Sequence, residues 1–524
     1  MNSQFILQLS DVSIKDVPRV GGKNASLGEM IRELAHKGIS VPGGFVITAD
    51  AYRFFMKETG MDAFVLKTLE GLDTHNIADL AARGKKVRAA IMKVPMPQTL
   101  ADEITQAYRA MEQQYEKNVD VAVRSSATAE DLPGASFAGE HETYLGIRGG
   151  HAVIIATQKA MASLFTDRAI SYRVDKGFRQ ETIALSVGVQ KMVRSDVGAS
   201  GVMFSIDTET GFKNTVVINA AWGLGEMVVQ GKVTPDEYVV FKQQIAKGKQ
   251  LPIISKTLGS KLIKMTYGDS VGKPTKIVAT KPNERDVWVL TDQDIRTLAQ
   301  WAIVIEEHYS TKAGKWTPMD MEWAKDGRDG KVYLVQARPE TIHALRDHNI
   351  IVEYERKEEG KVLCEGMSVG SKIATGKARV ILSPKQAATF KKGEVLVTDM
   401  TDPDWEPIMK IASAIVTDKG GRTSHAAIVS RELGIPAVVG AGNATSKIKT
   451  GMDLTVDTTG TAGVVYAGTL RFEMTQHNVA HLPKPTTKVM VNVASPDHAF
   501  EASMLPVAGV GLAREEFIIA SRIG

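Results

Sequence analysis

The sequence predicts a multidomain protein of mixed α/β and α+β class, organised as three unequal blocks. Three observations carry that reading. At 524 residues the chain exceeds what one hydrophobic core organises. Two stretches read as connectors, the charge-rich HALRDHNIIVEYERKEEGKVLCEG at 343–366 and the segment 470–487, which contains Pro483-Lys484-Pro485; they separate blocks at 1–342, 367–469 and 488–524. Short apolar runs lead into helix signals in some places and hairpin signals in others, which mixes the two classes.

Composition narrows the function classes. Hydrophobic content of 43% with 24% charged residues is that of an ordinary soluble protein. A net charge of +4 gives no global field for nucleic acid or an anionic membrane, so neither is an expected partner. Cys364 is the only cysteine, which excludes an internal disulfide and a cysteine-rich zinc site and fits a reducing cytosol. The start, MNSQFILQLSDVSIKD, lacks a basic region followed by an apolar stretch, and no apolar run approaches about 20 residues, so the expected location is cytoplasmic.

In the first block, VGGKNASLGEM places Gly21 and Gly22 before Lys23 and a helix expected to start near Asn24, bringing a lysine and amide donors to one place. The spacing is not that of a P-loop, and a surface turn is the plain alternative. The stretch VAVRSSATAEDLPGASFAGEHETY reads as a strand ending at Arg124, then a small-residue loop with Gly134 and Gly139. Arg124 would present a planar donor fork to phosphate oxygens while the loop closes over them as a lid. A long surface connection with a structural arginine explains the stretch equally well.

MDMEWAKDGRDGKVYLVQARPET reads as a hairpin with its turn at Asp326–Gly330. With Lys325 facing Lys331, the pleat puts Asp320, Glu322, Gln336 and Arg338 on one face. Carboxylate and amide oxygens there suit Mg²⁺ bridging phosphates, Glu322 and Gln336 as ligands, with Arg338 compensating charge. The polar outer face of an edge hairpin is the alternative.

In the middle block, Ala414-Ile415-Val416-Thr417 reads as a short buried strand, and Gly420-Gly421 as a tight turn. Ser424 then caps a helix whose apolar face carries Ala426, Val429 and Leu433, stopped by Gly434 and Pro436. His425 falls in the first turn, where amide donors and the helix dipole favour an anion and disfavour imidazolium. A neutral ring there could accept a phosphoryl group held by Thr423, Ser424 and backbone amides. A capping or core histidine is the plain reading of the same position. In the last block, KVMVNVASPDHAF reads as a strand leading to a helix and GVGLAREEF as the next strand.

Taken together, these stretches resemble the pyruvate phosphate dikinase and phosphoenolpyruvate synthase family. GGRTSHAAIVSRELGIPAVVG is similar to its phosphohistidine signature and GVGLAREEF to the start of its C-terminal barrel. The resemblance implies an ATP-grasp-type nucleotide domain, a small swivelling phosphohistidine α/β domain and the first part of a (β/α)₈ barrel. Lys23, Arg124, Glu322, Gln336 and Arg338 would bind ATP and Mg²⁺, and His425 would carry phosphate. Thr423 would be a regulatory phosphorylation site for a kinase or phosphorylase, and Arg514 a ligand of pyruvate or phosphoenolpyruvate; a homo-oligomer is left open. NAAWGLGEMVVQGKVTPDEYVVFK and SFAGEHETYLGI look like the synthase branch, whereas dikinases typically carry Glu-Asp where this chain has Glu226-Met227. The implied reaction turns ATP, pyruvate and water into AMP, phosphoenolpyruvate and phosphate. A dikinase using phosphate in place of water is the nearest alternative, and a non-catalytic ATP-binding phosphocarrier or scaffold the alternative of another class. A (β/α)₈ barrel takes about 250 residues, and residues 488–524 cannot build one. The expectation is therefore a truncated chain limited to the ATP half-reaction.

Overall fold

A computed structural model of the chain describes residues 5–74, 76–128, 143–175, 177, 183–246, 252–270, 273–340, 350–422, 424–479, 482, 485–493 and 499–515. The architecture is mixed α/β and multidomain. Among the described residues, 5–340 build two large antiparallel sheets and a two-stranded one, Ile263–Ser270 with Lys273–Ala279. One large sheet has five strands in the order Ile6–Gln8, Gly44–Ile47, Leu185–Lys191, Val121–Ala127, Thr143–Ile147. Helices Gln98–Gln114 and Gly150–Ser163 cover it through Leu100, Ile104 and Met161, against Val123 and Val187. The other has six strands, in the order Val332–Pro339, Met319–Lys325, Ala199–Phe204, Thr215–Trp222, Asp236–Phe241, Ile253–Thr257. Helix Asp292–Ala313, capped by Thr291 and stopped at Gly314 in the left-handed region, buries Ile295, Leu298 and Ile305 against Met319, Met321 and Trp323.

The middle block is a closed barrel, ordered Val362–Val369, Ala437–Val439, Ala414–Thr417, Val395–Thr398, Ile373–Val380, Asp453–Asp457, Ala462–Ala467. Three neighbouring pairs are parallel and the others antiparallel. The helix carrying His425 makes the crossover between the parallel strands Ala414–Thr417 and Ala437–Val439.

The segments read as connectors are strands in part. Ile350–Arg356 pairs antiparallel with Phe472–Asn478 along its whole length, while Val362–Val369 already belongs to the barrel. Arg356 ties this ribbon to the barrel through Asp457 at 3.5 Å and the Tyr466 ring at 4.5 Å. In the C-terminal unit, strands Val491–Val493 and Val510–Ala513 are parallel and joined through helix Ala499–Met504. Among the described residues, no helix is long and apolar enough to cross a membrane.

Candidate functional site

The hairpin Met319–Lys325 and Val332–Pro339 turns at Asp326–Gly330, with Gly330 at φ 73°. Its register differs from the one expected. Lys325 lies across from Val332 rather than Lys331, which alone would set Glu322 opposite Val335 and split the polar set between two faces. A bulge between Glu322 and Trp323 absorbs one further residue and restores it: Glu322 faces Gln336 and Asp320 faces Arg338.

Arg124 reaches this face from the five-stranded sheet. Its strand continues past it to Ala127, and the guanidinium donates from Nη2 to Glu322 Oε2 at 3.1 Å and from Nη1 to the Val335 carbonyl at 2.9 Å. Arg338 donates to Asp320 at 2.8 Å. Burial pushes the Asp320 carboxyl above the ordinary carboxylate range, and Arg338 offsets part of that rise. Two arginines thus balance two carboxylates on a partly dry surface.

The helix expected to begin near Asn24 runs Val17–Leu34, broken at Gly21, whose φ of 71° and ψ of 165° are not helical. A side chain at Gly21 would lie 2.2 Å from Ser126 Oγ, and one at Gly188 would lie 2.2 Å from Asn24 Oδ1. Gly188 is the register partner of Arg124. Half-buried Lys23 lies between these two close contacts in the chain, which set its helix start on the strand carrying Arg124. Gly134, Gly139 and Thr423 lie outside the described residues. Arg514 follows Val510–Ala513 on an exposed element of the C-terminal unit.

His425 opens the helix His425–Leu433. Ser424 caps it by accepting from the Ala427 amide, and Gly434 stops it at φ 65°. Gly420, at φ 114°, makes the turn that feeds the cap. His425 Nδ1 is 3.0 Å from the buried Thr401 Oγ1. The ring is held well below its ordinary value of 6.5, at about 4, first by burial and second by the Arg168 guanidinium. The field of the helix start acts in the same direction. Arg168 comes from helix Asp167–Asp175 of the first block, and its buried Nε has no hydrogen-bond partner.

The first block also meets this helix start directly. Gly231, at φ +64°, sits so close that a side chain there would lie 2.4 Å from Ser424 Cα and 2.8 Å from His425 N. Lower on the helix, Arg431 pairs with Glu209. Val202 and Phe204, which face Glu322 and Asp320 across the strand pair, pack in one apolar cluster with Met227, Val228 and Val233 around Gly231. The polar hairpin and His425 are therefore on the same side of the six-stranded sheet.

A family model described as pyruvate phosphate dikinase, AMP/ATP-binding domain, matches residues 17–359, well over half of the chain. The chain belongs to that family. A second model, PEP-utilising enzyme, mobile domain, matches residues 390–460 of this dikinase-family chain and includes His425. Three curated relatives named phosphoenolpyruvate synthase are similar to it. That of Aquifex aeolicus is 54% identical, covering 99% of this chain and 61% of the relative. That of Synechocystis sp. is 53% identical over 99% of this chain and 64% of the relative. That of Escherichia coli is 48% identical over 100% of this chain and 65% of the relative. The chain thus spans less than two thirds of the length of these relatives.

Sequence reading missed Thr401, Arg168, Gly231 and the Glu209–Arg431 pair. Thr401, in TDMTDPDWEP, stands in a polar turn after a buried strand, a weak cue. The others carry no local signal, because their meaning lies in contacts between blocks.

Proposed function

We propose that this chain transfers a phosphoryl group from ATP to His425, the ATP-side half of a pyruvate, water dikinase reaction forming phosphoenolpyruvate. The observation that carries the reading is a histidine kept neutral by burial and Arg168, with Nδ1 engaged by Thr401, at a helix start pressed on the nucleotide block. With Nδ1–H donating to Thr401 Oγ1, the lone pair is on Nε2, which attacks the β-phosphorus of ATP. The Nε2–P bond forms, the bridge to the α-phosphate breaks and AMP leaves; water cuts the β–γ bridge and releases phosphate. Arg168 would neutralise the group in transit, and the amides of the helix start would hold its oxygens.

Lys23, Arg124 and Arg338 would hold the ATP phosphates, under a loop containing Gly134 and Gly139, in a domain of ATP-grasp type. Mg²⁺ is the implied cation. Among the described residues no set of three acidic, histidine or cysteine side chains gathers for a metal. The cross-strand carboxylate of Glu322 and amide of Gln336 instead fit a hard cation that keeps most of its shell from water and phosphate. When bound, it neutralises charge on the phosphate oxygens. The synthase reading over the phosphate-using one is supported by Met227, a 1% exposed member of the apolar cluster that offers no carboxylate.

Pyruvate or phosphoenolpyruvate would meet Arg514 at a site begun by the C-terminal βαβ unit, as the opening of a (β/α)₈ barrel, and the phosphohistidine barrel would swivel between the two. A phosphate placed on Thr423 by a regulatory enzyme would add about −1.5 to −2 charges beside His425 and block transfer by repulsion. The test is ATP labelled separately at the β and γ positions. Acid-labile label should appear on the protein from the β position only and be absent from His425→Ala, with AMP as the nucleotide product. Equal labelling of that variant would overturn the assignment.

A further inference from the structure

The contact between the His425 helix and the first block contains a charge pair that its surroundings should disfavour. Arg431 is 8% exposed and Glu209 is 15% exposed. Arg431 Nη2 donates to the Glu209 carboxylate, Nη1 donates to the Arg422 carbonyl at 2.5 Å, and the buried Nε has no partner. Burial pulls the guanidinium down to about 10, with Asp207 acting the other way. Glu209 sits on a stiff turn: Asp207 accepts from the Thr210 amide and hydroxyl at 2.8 and 2.6 Å, and the Gly211 amide donates to the Asp207 carbonyl at 2.9 Å.

We infer that Arg431 and Glu209 form a register lock, a reversible latch that admits the His425 helix onto the nucleotide block in one seating only. Burying two charges costs nearly as much as their attraction returns, so the pair adds little net affinity. A helix seated one turn out of register would instead bury Arg431 without a counter-ion, a heavy cost. The pair therefore selects position at small cost in tightness, and on separation both charges are rehydrated, which keeps release easy. Arg431 also fixes the Arg422 carbonyl, so the same guanidinium that reads Glu209 shapes the turn leading to Ser424 and His425. Gly231 sets how closely the surfaces approach; Arg431 and Glu209 set where along the helix they meet. The consequence for transfer rests on His425 being the phosphoryl acceptor, whereas docking itself does not.

Two readouts separate those claims on the full 524-residue chain: amide exchange over Met227–Val233 and Ser424–Leu433 without ATP, and the rate of acid-labile labelling with Mg²⁺ and ATP. Glu209→Gln should lower the ratio of docked to free helix by roughly 100-fold or more, exposing both segments to exchange and slowing labelling. The double variant Glu209→Met/Arg431→Met should regain protection, since apolar groups of similar size pack there without a charge to bury. It should also release the helix more slowly than the parent. Unchanged exchange in a folded Glu209→Gln chain, or a double variant no better docked than the single one, would overturn the lock. Exchange that responds as stated in a parent that takes up no label would leave the lock standing and overturn the acceptor role of His425.

Discussion

Replacing Gly231 with alanine tests whether the docked His425 is the reactive arrangement. Gly231 has φ +64°, in the left-handed region, where a side chain costs about 1–2 kcal/mol. Its new Cβ would stand 2.4 Å from Ser424 Cα, 2.5 Å from Ser424 Cβ and 2.8 Å from His425 N. These are backbone and capping atoms that cannot rotate away, so the surfaces must part by roughly 1 Å to reach ordinary contact. A displacement of that size at a reacting group costs on the order of 100-fold in rate. The hairpin face around Glu322 is untouched by the substitution, so ATP affinity should stay within about two-fold. The assay is single-turnover labelling from β-labelled ATP at saturating nucleotide, with nucleotide affinity measured on the same sample. A folded variant that labels within three-fold of the parent would refute the claim that transfer occurs from this contact.

The remaining expectations can be checked with the same protein. Thr401→Val removes the partner of His425 Nδ1 and should slow labelling about 10-fold, the worth of one buried hydrogen bond; ring nitrogen shifts in NMR should show a mixture of tautomers. Glu322→Ala and Arg338→Ala should abolish Mg²⁺-dependent labelling with the fold intact by circular dichroism, the first also leaving Arg124 without its carboxylate. Because His425 titrates near 4 when folded and near 6.5 when unfolded, only the unfolded chain takes up its proton between those values. Its contribution to stability is complete above pH 6.5 and shrinks as pH falls towards 4, by about 3 kcal/mol in all. Denaturant melts of parent and His425→Gln at pH 7 and pH 4.5 should diverge accordingly. Thr423→Asp should prevent labelling while leaving ATP binding intact.

Sequence was a good guide wherever the chain's own neighbours decide the structure. Ser424, Gly420 and Gly434 act within one helix and its flanking turns, so the position of His425 could be read from 15 consecutive residues. The hairpin face was legible in membership but not in register, because the extra residue at the bulge, Val335, gives its carbonyl to Arg124, far away in the chain. Closure of the barrel was not legible: Ile373–Val380 pairs with Asp453–Asp457, and no local pattern announces a partner that distant. The ribbon was read as linker because Glu353, Glu355 and Arg356 look like solvated charge, although every position from Ile350 to Arg356 pairs with Phe472–Asn478. The contacts of His425 with Arg168, Thr401 and Gly231 are tertiary, and composition carries no trace of them.

The pairing of Ile350–Arg356 with Phe472–Asn478 has a mechanical meaning. The chain enters and leaves the barrel side by side, so the barrel hangs from one stalk instead of two tethers. Seven paired residues span about 20 Å, and Arg356 clamps the stalk to the barrel at Asp457 and Tyr466. Turning the stalk by about 60° at its far end would carry the barrel end of that ~20 Å arm through a chord of about 20 Å, with no ladder hydrogen bond broken. A two-stranded ribbon also twists more readily than a wide sheet. If the barrel swivels as proposed, the turn would fall at the Ile350 and Asn478 end of the stalk and would leave the interior packing of the barrel unchanged.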